Sequence, residues 1–139
     1  MTVNVAINGF GRIGRAVFRR LANQSELKVV AINASYPVDT LAHLTQYDTV
    51  HGTFRHAVKV VDGKLCAANQ SAHIVNEREP DRLPWDQLGV DIVIEATGVF
   101  RSRDEAARHL RAGAKKVIIT APGKHEELTV VMGVNDDQY

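Results

Sequence analysis

Cysteine is nearly missing from this sequence of 139 residues: Cys66 is the only one, so no internal disulfide can form, and a lone thiol suits a reducing compartment. Charge of one sign is not in excess either. Seventeen Lys and Arg balance sixteen Asp and Glu to a formal net charge of +1, which provides no field for nucleic acid. No apolar run is long enough to cross a bilayer, and the start Met1, Thr2, Val3, Asn4 lacks the charged and apolar regions of a signal peptide, so no membrane partner and a cytoplasmic location are expected. The six histidines show no HExxH or other ligand spacing, so no metal site is expected. Most are expected on surfaces or in local hydrogen bonds. What remains is a 45% hydrophobic chain sized for one domain, residues 1–139, burying about two-thirds of its unfolded surface.

The order of its segments predicts an α/β fold. Apolar runs at Leu27–Ile32, Val90–Ile94, Lys116–Ile119 and Thr129–Met132 read as strands buried on both faces. Val38–Tyr47 reads as a helix after Pro37. Arg103–Arg111 reads as another, with Ser102 and Glu105 spaced as a capping box and Gly113 near its end. Val58–Val61 and Lys64–Ala67 flank Asp62-Gly63, the preferred dipeptide of a tight hairpin. The fold class is therefore Rossmann-type, doubly wound, with a mostly parallel sheet and an antiparallel hairpin addition. At the carboxyl end Asn135 suits an N-cap and Asp136 and Asp137 a first turn, so a helix is expected to begin there; this favours a piece of a longer protein over a frayed terminus.

The most informative segment is INGFGRIG. Gly9, Gly11 and Gly14 stand in GxGxxG spacing between an apolar strand (Val3, Val5, Ile7) and a helix whose apolar face is read as Ile13, Val17 and Leu21. In a dinucleotide loop the first glycine turns the chain, the second lets backbone approach a pyrophosphate, and the third allows close helix–strand packing. The helix N-terminus then favours the phosphates through unpaired N–H groups and its dipole, by up to about 2 kcal/mol. An ordinary strand-to-helix turn is the alternative.

An Asp or Glu about 20 residues beyond such glycines accepts hydrogen bonds from the adenosine ribose in NAD sites. Here the second strand ends Ala31, Ile32, Asn33, Ala34, Ser35, with no acid. Loss of that bond weakens selection for NAD by roughly 1.5–3 kcal/mol. It also removes repulsion of up to about 4 kcal/mol per unit charge against the 2′-phosphate of NADP. The expected cofactor is NADP or NAD, with NADP acceptance favoured and Ser35 offering a hydroxyl; a weakened, promiscuous site is the alternative. No Lys or Arg follows Ser35 directly.

INGFGRIG, AINAS, YDTVHG (47–52), ERE (77–79), EATGVF (95–100), AGAKKVIITAPGK (112–124) and MGVN (132–135) stand in an order and spacing that resembles the N-terminal part of phosphorylating glyceraldehyde-3-phosphate dehydrogenase, over essentially the whole chain. The resemblance implies that Gly9, Phe10, Gly11, Arg12 and Ile13 meet the pyrophosphate, with Arg12 and Ile13 binding through backbone groups. It implies that Asn33 and Ala34 flank the ribose, that Arg78 lies near the adenine, that Thr97, Gly98 and Phe100 line the groove, and that Thr120 lies toward the nicotinamide. Most of that family has Asp where this chain has Ala34; the Ala-Ser pair resembles a bacterial NADP-using branch that works toward glucose synthesis. Erythrose-4-phosphate dehydrogenase, similar over 83–90 and 112–117, and a non-catalytic nucleotide-binding module are alternatives. The family's nucleophile lies in an SCTTNC-like segment that has no counterpart in these residues, and its base is a histidine. Cys66 does not match that nucleophile and is expected to be a small buried thiol. The resemblance thus implies cofactor binding without turnover by this chain, in a parent enzyme that is a homotetramer; the oligomer of this chain is left open.

Overall fold

A computed structural model describes residues 1–139. Its centre is a seven-stranded sheet of order β3-β4-β5-β2-β1-β6-β7, built from β1 (Val3–Asn8), β2 (Leu27–Asn33), β3 (Lys59–Val61), β4 (Lys64–Ala67), β5 (Gln70–Val75), β6 (Ile92–Glu95) and β7 (Lys116–Ile119). Strands β5, β2, β1, β6 and β7 run parallel; β4 is antiparallel to both β3 and β5. The Rossmann-type expectation, antiparallel addition included, matches this sheet.

Two apolar layers cover the two faces. Helices α1 (Arg12–Leu21) and α2 (Val38–Gln46) lay Phe18 and Leu41 against Ile7, Val29, Ile32, Leu65 and Ala72. On the other side Leu83, Trp85, Ala112 and Ala114 pack on Ala6, Ala31 and Val93, in the layer that also carries α3 (Arg103–Ala106) and α4 (Arg108–Arg111). The switch of faces follows from chain direction. From β1 the strands progress outward through β2 to β5, and from β6 they progress the other way to β7, so right-handed crossovers place the helices of the two arms on opposite faces.

Strand β2 reads LKVVAIN without alternation, and its register explains why. Val5 pairs with Val29 but Ala6 pairs with Ala31, so Val30 is an extra residue, and the side-chain alternation flips at that bulge. Val29 and Ile32 consequently share one layer while Val30 and Ala31 pack against the other.

The hairpin turn has φ of 52° at Asp62 and 74° at Gly63, the left-handed pair that a two-residue turn between twisted strands requires. The capping box is present: Ser102 Oγ accepts from the Glu105 N–H at 3.2 Å and Glu105 Oε2 accepts from the Ser102 N–H at 3.1 Å. No helix is long and apolar enough to cross a membrane.

Several elements differ from the sequence-based expectation. Arg103–Arg111 is two short helices, because at Ala107 (ψ −17°) the helix loosens and the Leu110 N–H reaches back only three residues, to the Ala107 carbonyl. Val90–Ile94 begins late, as Ile92–Glu95, and ends on a buried acid. Thr129–Met132 is no strand: it has no partner strand, and Asn135 takes its backbone instead, accepting from the Val131 N–H at 2.7 Å and donating to the Thr129 carbonyl at 2.8 Å. With its side chain so engaged Asn135 caps nothing, and the expected helix is a single exposed 3-10 turn, Asp136–Gln138. Ile13 is 54% exposed, and Phe18 takes the buried position on α1. Strand β7 alternates between exposed and half-buried residues, so it is not covered on both faces. Cys66, expected to be buried, is half-buried on β4, paired with Lys59 of β3 on one side and Ser71 of β5 on the other.

Strand β5 was not legible as an apolar run, because half of QSAHIV is polar, with Gln70, Ser71 and His73 ahead of Ile74 and Val75. Its first residue is structural. Gln70, buried, accepts from the Val29 N–H at 2.7 Å and donates to the carbonyls of Leu21 at 2.8 Å and Leu27 at 3.0 Å, joining the end of α1 to the start of β2. Each buried group stripped of its partner costs about 1–3 kcal/mol, so Gln70→Leu is expected to lower the free energy of unfolding by at least about 2 kcal/mol in urea titrations. A change within about 0.5 kcal/mol, the range of an ordinary surface substitution, would remove Gln70 from this role.

Candidate nucleotide site

Where the two arms of the sheet part, beyond the carboxyl ends of β1, β2, β5 and β6, lies a cavity of about 530 Å³. Each strand end supplies one section of its wall: Asn8 to Gly11 after β1, Asn33 to Tyr36 after β2, Asn76 to Arg78 after β5, and Thr97, Val99 and Phe100 after β6. Open α/β sheets bind ligands at this topological switch point.

The floor is the glycine loop, and its three glycines differ in kind. At Gly9, φ is +95° and a Cβ would stand 2.8 Å from the Thr97 backbone nitrogen, so both conformation and crowding demand glycine. At Gly14 a Cβ would run into the Gly9 carbonyl oxygen and lie 3.3 Å from Ile7, the close helix–strand contact. Gly11 is different: its φ of −76° is open to any residue, and a Cβ would meet nothing within 4 Å. Within this chain nothing excludes a side chain there.

Above Gly11 the backbone donors are free. The N–H groups of Phe10, Gly11, Arg12, Ile13 and Gly14 have no backbone acceptor, and the first in the helix to find one is that of Arg15, 3.0 Å from the Gly11 carbonyl. No acidic side chain occupies the first turn of α1. Arg15 Nη1 donates to the Phe10 carbonyl at 2.9 Å, fixing the loop, while its Nε is buried without a protein partner in the cavity wall. Free donors, a positive helix end and an orphaned guanidinium nitrogen form a donor set that fits an anion.

Beneath the cavity runs a buried polar row. Asn33 Nδ2 donates to Asn8 Oδ1 at 2.7 Å and to the Glu77 carbonyl at 2.6 Å, and its Oδ1 accepts from the Glu77 N–H at 2.9 Å. Both amide hydrogens of Asn33 are thus committed inside the protein, where they shape the 76–78 section of the wall. Asn8 Nδ2 continues the row to Glu95 Oε1 at 2.6 Å. Glu95 Oε2 takes the Thr97 N–H at 3.0 Å and its hydroxyl at 2.6 Å. On the far side His109 Nε2 lies 2.8 Å from Glu95 Oε1, and the Trp85 indole N–H donates to His109 Nδ1 at 3.0 Å. An indole nitrogen is a donor only, so His109 Nδ1 carries a lone pair and Nε2 the hydrogen. His109 is therefore the neutral Nε2–H tautomer, fully buried, joining elements far apart in sequence rather than making a local bond. Burial pushes the Glu95 carboxyl up, but the bonds from His109, Thr97 and Asn8 outweigh it and hold the group below its ordinary value.

Of the residues singled out in the sequence, Gly9, Phe10, Gly11, Asn33, Ala34, Ser35, Arg78, Thr97 and Phe100 line this cavity. Arg12, Ile13, Gly98 and Thr120 do not. The side chains of Arg12 and Ile13 are exposed at the start of α1, with Arg12 3.5 Å from Asp48; Gly98 is exposed beside Thr97; and Thr120 is exposed, bonding through N–H and hydroxyl to the Glu95 carbonyl. Wall residues missed in the sequence are Asn8, Arg15, Tyr36, Asn76, Glu77 and Val99. Their signal is positional, since each flanks a glycine-loop or strand-end residue already singled out.

Sheet order, switch point and glycine loop together define a dinucleotide-binding α/β domain of Rossmann type. Residues 3–103 match the family model described as glyceraldehyde 3-phosphate dehydrogenase, NAD binding domain, and the chain belongs to this family. It is 53% identical over 139 residues to glyceraldehyde-3-phosphate dehydrogenase 2 of Bacillus subtilis, covering all of this chain and 41% of that protein. It is 51% identical to glyceraldehyde-3-phosphate dehydrogenase of Geobacillus stearothermophilus, covering 100% and 42%, and 52% identical over 136 residues to that of Thermotoga maritima, covering 96% and 41%. The chain thus spans about two fifths of the length of these curated relatives.

Two stability outcomes follow from the geometry. Gly14→Ala is expected to destabilise by about 1–3 kcal/mol through overpacking against Gly9, whereas Gly11→Ala is expected to cost no more than about 1 kcal/mol, the N-cap preference alone, in paired thermal melts. For Glu95 the sign is set by its lowered value. Its contribution is fully present above the unfolded glutamate value of about 4.3 and is lost as pH falls through the lower native value, so the stability gap between wild type and Glu95→Gln should be constant near neutrality and close below about pH 4. A gap that widens on acidification contradicts this assignment.

Proposed function

We propose that this chain binds a nicotinamide dinucleotide across the switch-point cavity and accepts NADP. The observation that carries the reading is the set of free N–H groups at 10–14 beneath the open space over Gly11: a residue whose Cβ would touch nothing in the protein is left without one where a pyrophosphate needs the backbone bare. Backbone groups of Phe10 to Ile13, with Gly9 and Gly11, hold the pyrophosphate, and the exposed side chains of Arg12 and Ile13 are compatible with that backbone role. Asn33 and Ala34 flank the adenosine ribose, Arg78 lies near the adenine end, Thr97, Gly98 and Phe100 line the groove, and Thr120 lies toward the nicotinamide half. Arg15 adds a cation at the phosphates.

Acceptance of the 2′-phosphate rests on position 34. Ala34, Ser35 and Tyr36 form the wall after β2, with no carboxylate among them, and Arg78, exposed and in no hydrogen bond or ion pair, is the free cation of the same cavity. It supplies the positive charge that the residues directly after Ser35 do not. Glu77 is the one acid of the wall.

In the parent protein the bound cofactor accepts hydride during oxidation of an aldehyde, and the relatives' names point to glyceraldehyde 3-phosphate as that substrate. The residues of this chain contribute binding and orientation; the half-buried Cys66 on β4 lies outside the cavity wall. The parent enzyme is a homotetramer on this reading, and the chain works in the cytoplasm without nucleic acid or membrane partners.

Fluorescence titrations at fixed salt test the assignment: NADPH is expected to bind at least as tightly as NADH, and Gly11→Ala to weaken both. Ala34→Asp is expected to reduce NADPH affinity at least about tenfold through charge repulsion while sparing NADH. Tight NADH binding with none for NADPH would refute acceptance of NADP, and wild-type affinity in Gly11→Ala would refute the placement of the pyrophosphate.

A further inference from the structure

We infer that Glu95 is a positioning residue for nucleotide binding, holding the two walls of the cavity in one register and joining them through His109 to Trp85 on the far side of the sheet. The inference rests on the nucleotide reading above and extends it to residues that do not line the cavity.

Four donors converge on one carboxylate: Asn8 Nδ2 and His109 Nε2 on Oε1, and the Thr97 N–H and hydroxyl on Oε2. An ionised carboxylate accepts at about four sites and donates nowhere, so it alone among side chains of this size can meet all four. A glutamine would turn an NH2 toward two of them. The two oxygens serve different walls. Oε1 governs Asn8, and through it Asn33 and the Glu77 backbone, the wall after β2 and β5; Oε2 governs Thr97, whose hydroxyl in turn accepts from the Val99 N–H at 3.1 Å, the wall after β6. Glu95 is 1% exposed and has no Lys or Arg partner. Leaving a carboxylate dry without a cation is costly, and a stable sheet needs only an apolar residue there. The geometric return is the fixed spacing of the walls.

The row ends at the only tryptophan of the chain. Trp85 is fully buried and absent from the cavity wall, yet five consecutive hydrogen bonds lead from the Glu77 N–H through Asn33, Asn8, Glu95 and His109 to its indole. Bonds in such a chain polarise one another, so a ligand that draws on one wall alters the last link.

The single indole N–H gives one cross-peak in the 1H–15N spectrum of the labelled 139-residue chain. On titration with NADP+ that peak is expected to shift along the same saturation curve as the amides of Gly9 to Ile13. In Glu95→Gln the affinity is expected to fall about tenfold, and the indole shift to vanish while the loop amides still respond at saturation. A purely structural role for Glu95 predicts no such uncoupling. If the loop amides move and the indole does not, the inference is overturned and the nucleotide reading stands; if neither moves, both fall. A folded Glu95→Gln chain with wild-type affinity also overturns it. The wild-type titration needs no variant, so the inference remains falsifiable even where Glu95→Gln does not fold.

Discussion

Handedness is the constraint on which the rest of this molecule depends. A right-twisted strand feeding a helix returns to a parallel neighbour in one sense only. A chain that extends its sheet first one way from the centre and then the other must therefore cover opposite faces. The arms separate between β1 and β6, where the segments leaving these two neighbouring parallel strands go to opposite faces instead of closing over one another. The cavity is the gap so produced. Its wall residues come from four segments distant in sequence because four strand ends surround the gap.

A gap between diverging loops has no stiffness of its own, and the polar row beneath it provides some. Asn8, Asn33 and Glu95 are the last residues of β1, β2 and β6, adjacent in the sheet and all buried. Apolar residues at these three places would pack as well but would leave the departing loops unanchored. Amide and carboxylate side chains bond sideways to each other and upward to the Glu77 and Thr97 backbone, so strand ends and loops form one unit. Outside the cavity wall, Arg108 pairs with both Glu79 and Asp81 while its guanidinium lies 5.7 Å from the centre of the Phe100 ring. That links the segment after β5 to the segment after β6 from outside, in the more weakly bound, salt-sensitive regime of exposed ion pairs.

Much of this was legible in the sequence because it is local. The Asp62-Gly63 turn, the Ser102 capping box, α1 and the glycine loop depend on residues within a few positions of each other. What escaped depends on distant partners. QSAHIV becomes a strand because β4 and β2 flank it, and its buried Gln70 is comprehensible only beside the carbonyls of Leu21 and Leu27. Conversely, TVVM has strand propensity but no partner, and the side chain of Asn135 claims its backbone. The site divides in the same way. Its glycines and strand-end residues carry the family pattern, and Arg15, Tyr36 and Asn76 enter the wall as sequence neighbours of such residues, whereas the role of His109 depends on Glu95 and Trp85, 14 and 24 residues away.

The three glycines of the loop finally separate folding from binding in a way that their common spacing conceals. Gly9 and Gly14 answer to the protein: one adopts a left-handed φ against the Thr97 backbone, the other lets α1 descend onto β1, and both would be required of an empty fold. Gly11 answers to nothing inside the chain, having an ordinary φ and open space above it. A glycine without a folding reason weakens the start of α1, where Ser, Thr, Asp or Asn would cap better, and also leaves the neighbouring N–H groups unshielded. That small concession gains a physical rationale where another molecule approaches the bare backbone and supplies the acceptors. With no acid in the first turn of α1 and no backbone acceptor for residues 10 to 14, the acceptors come from outside the chain, from water or from a ligand, and the positive helix end favours an anionic one.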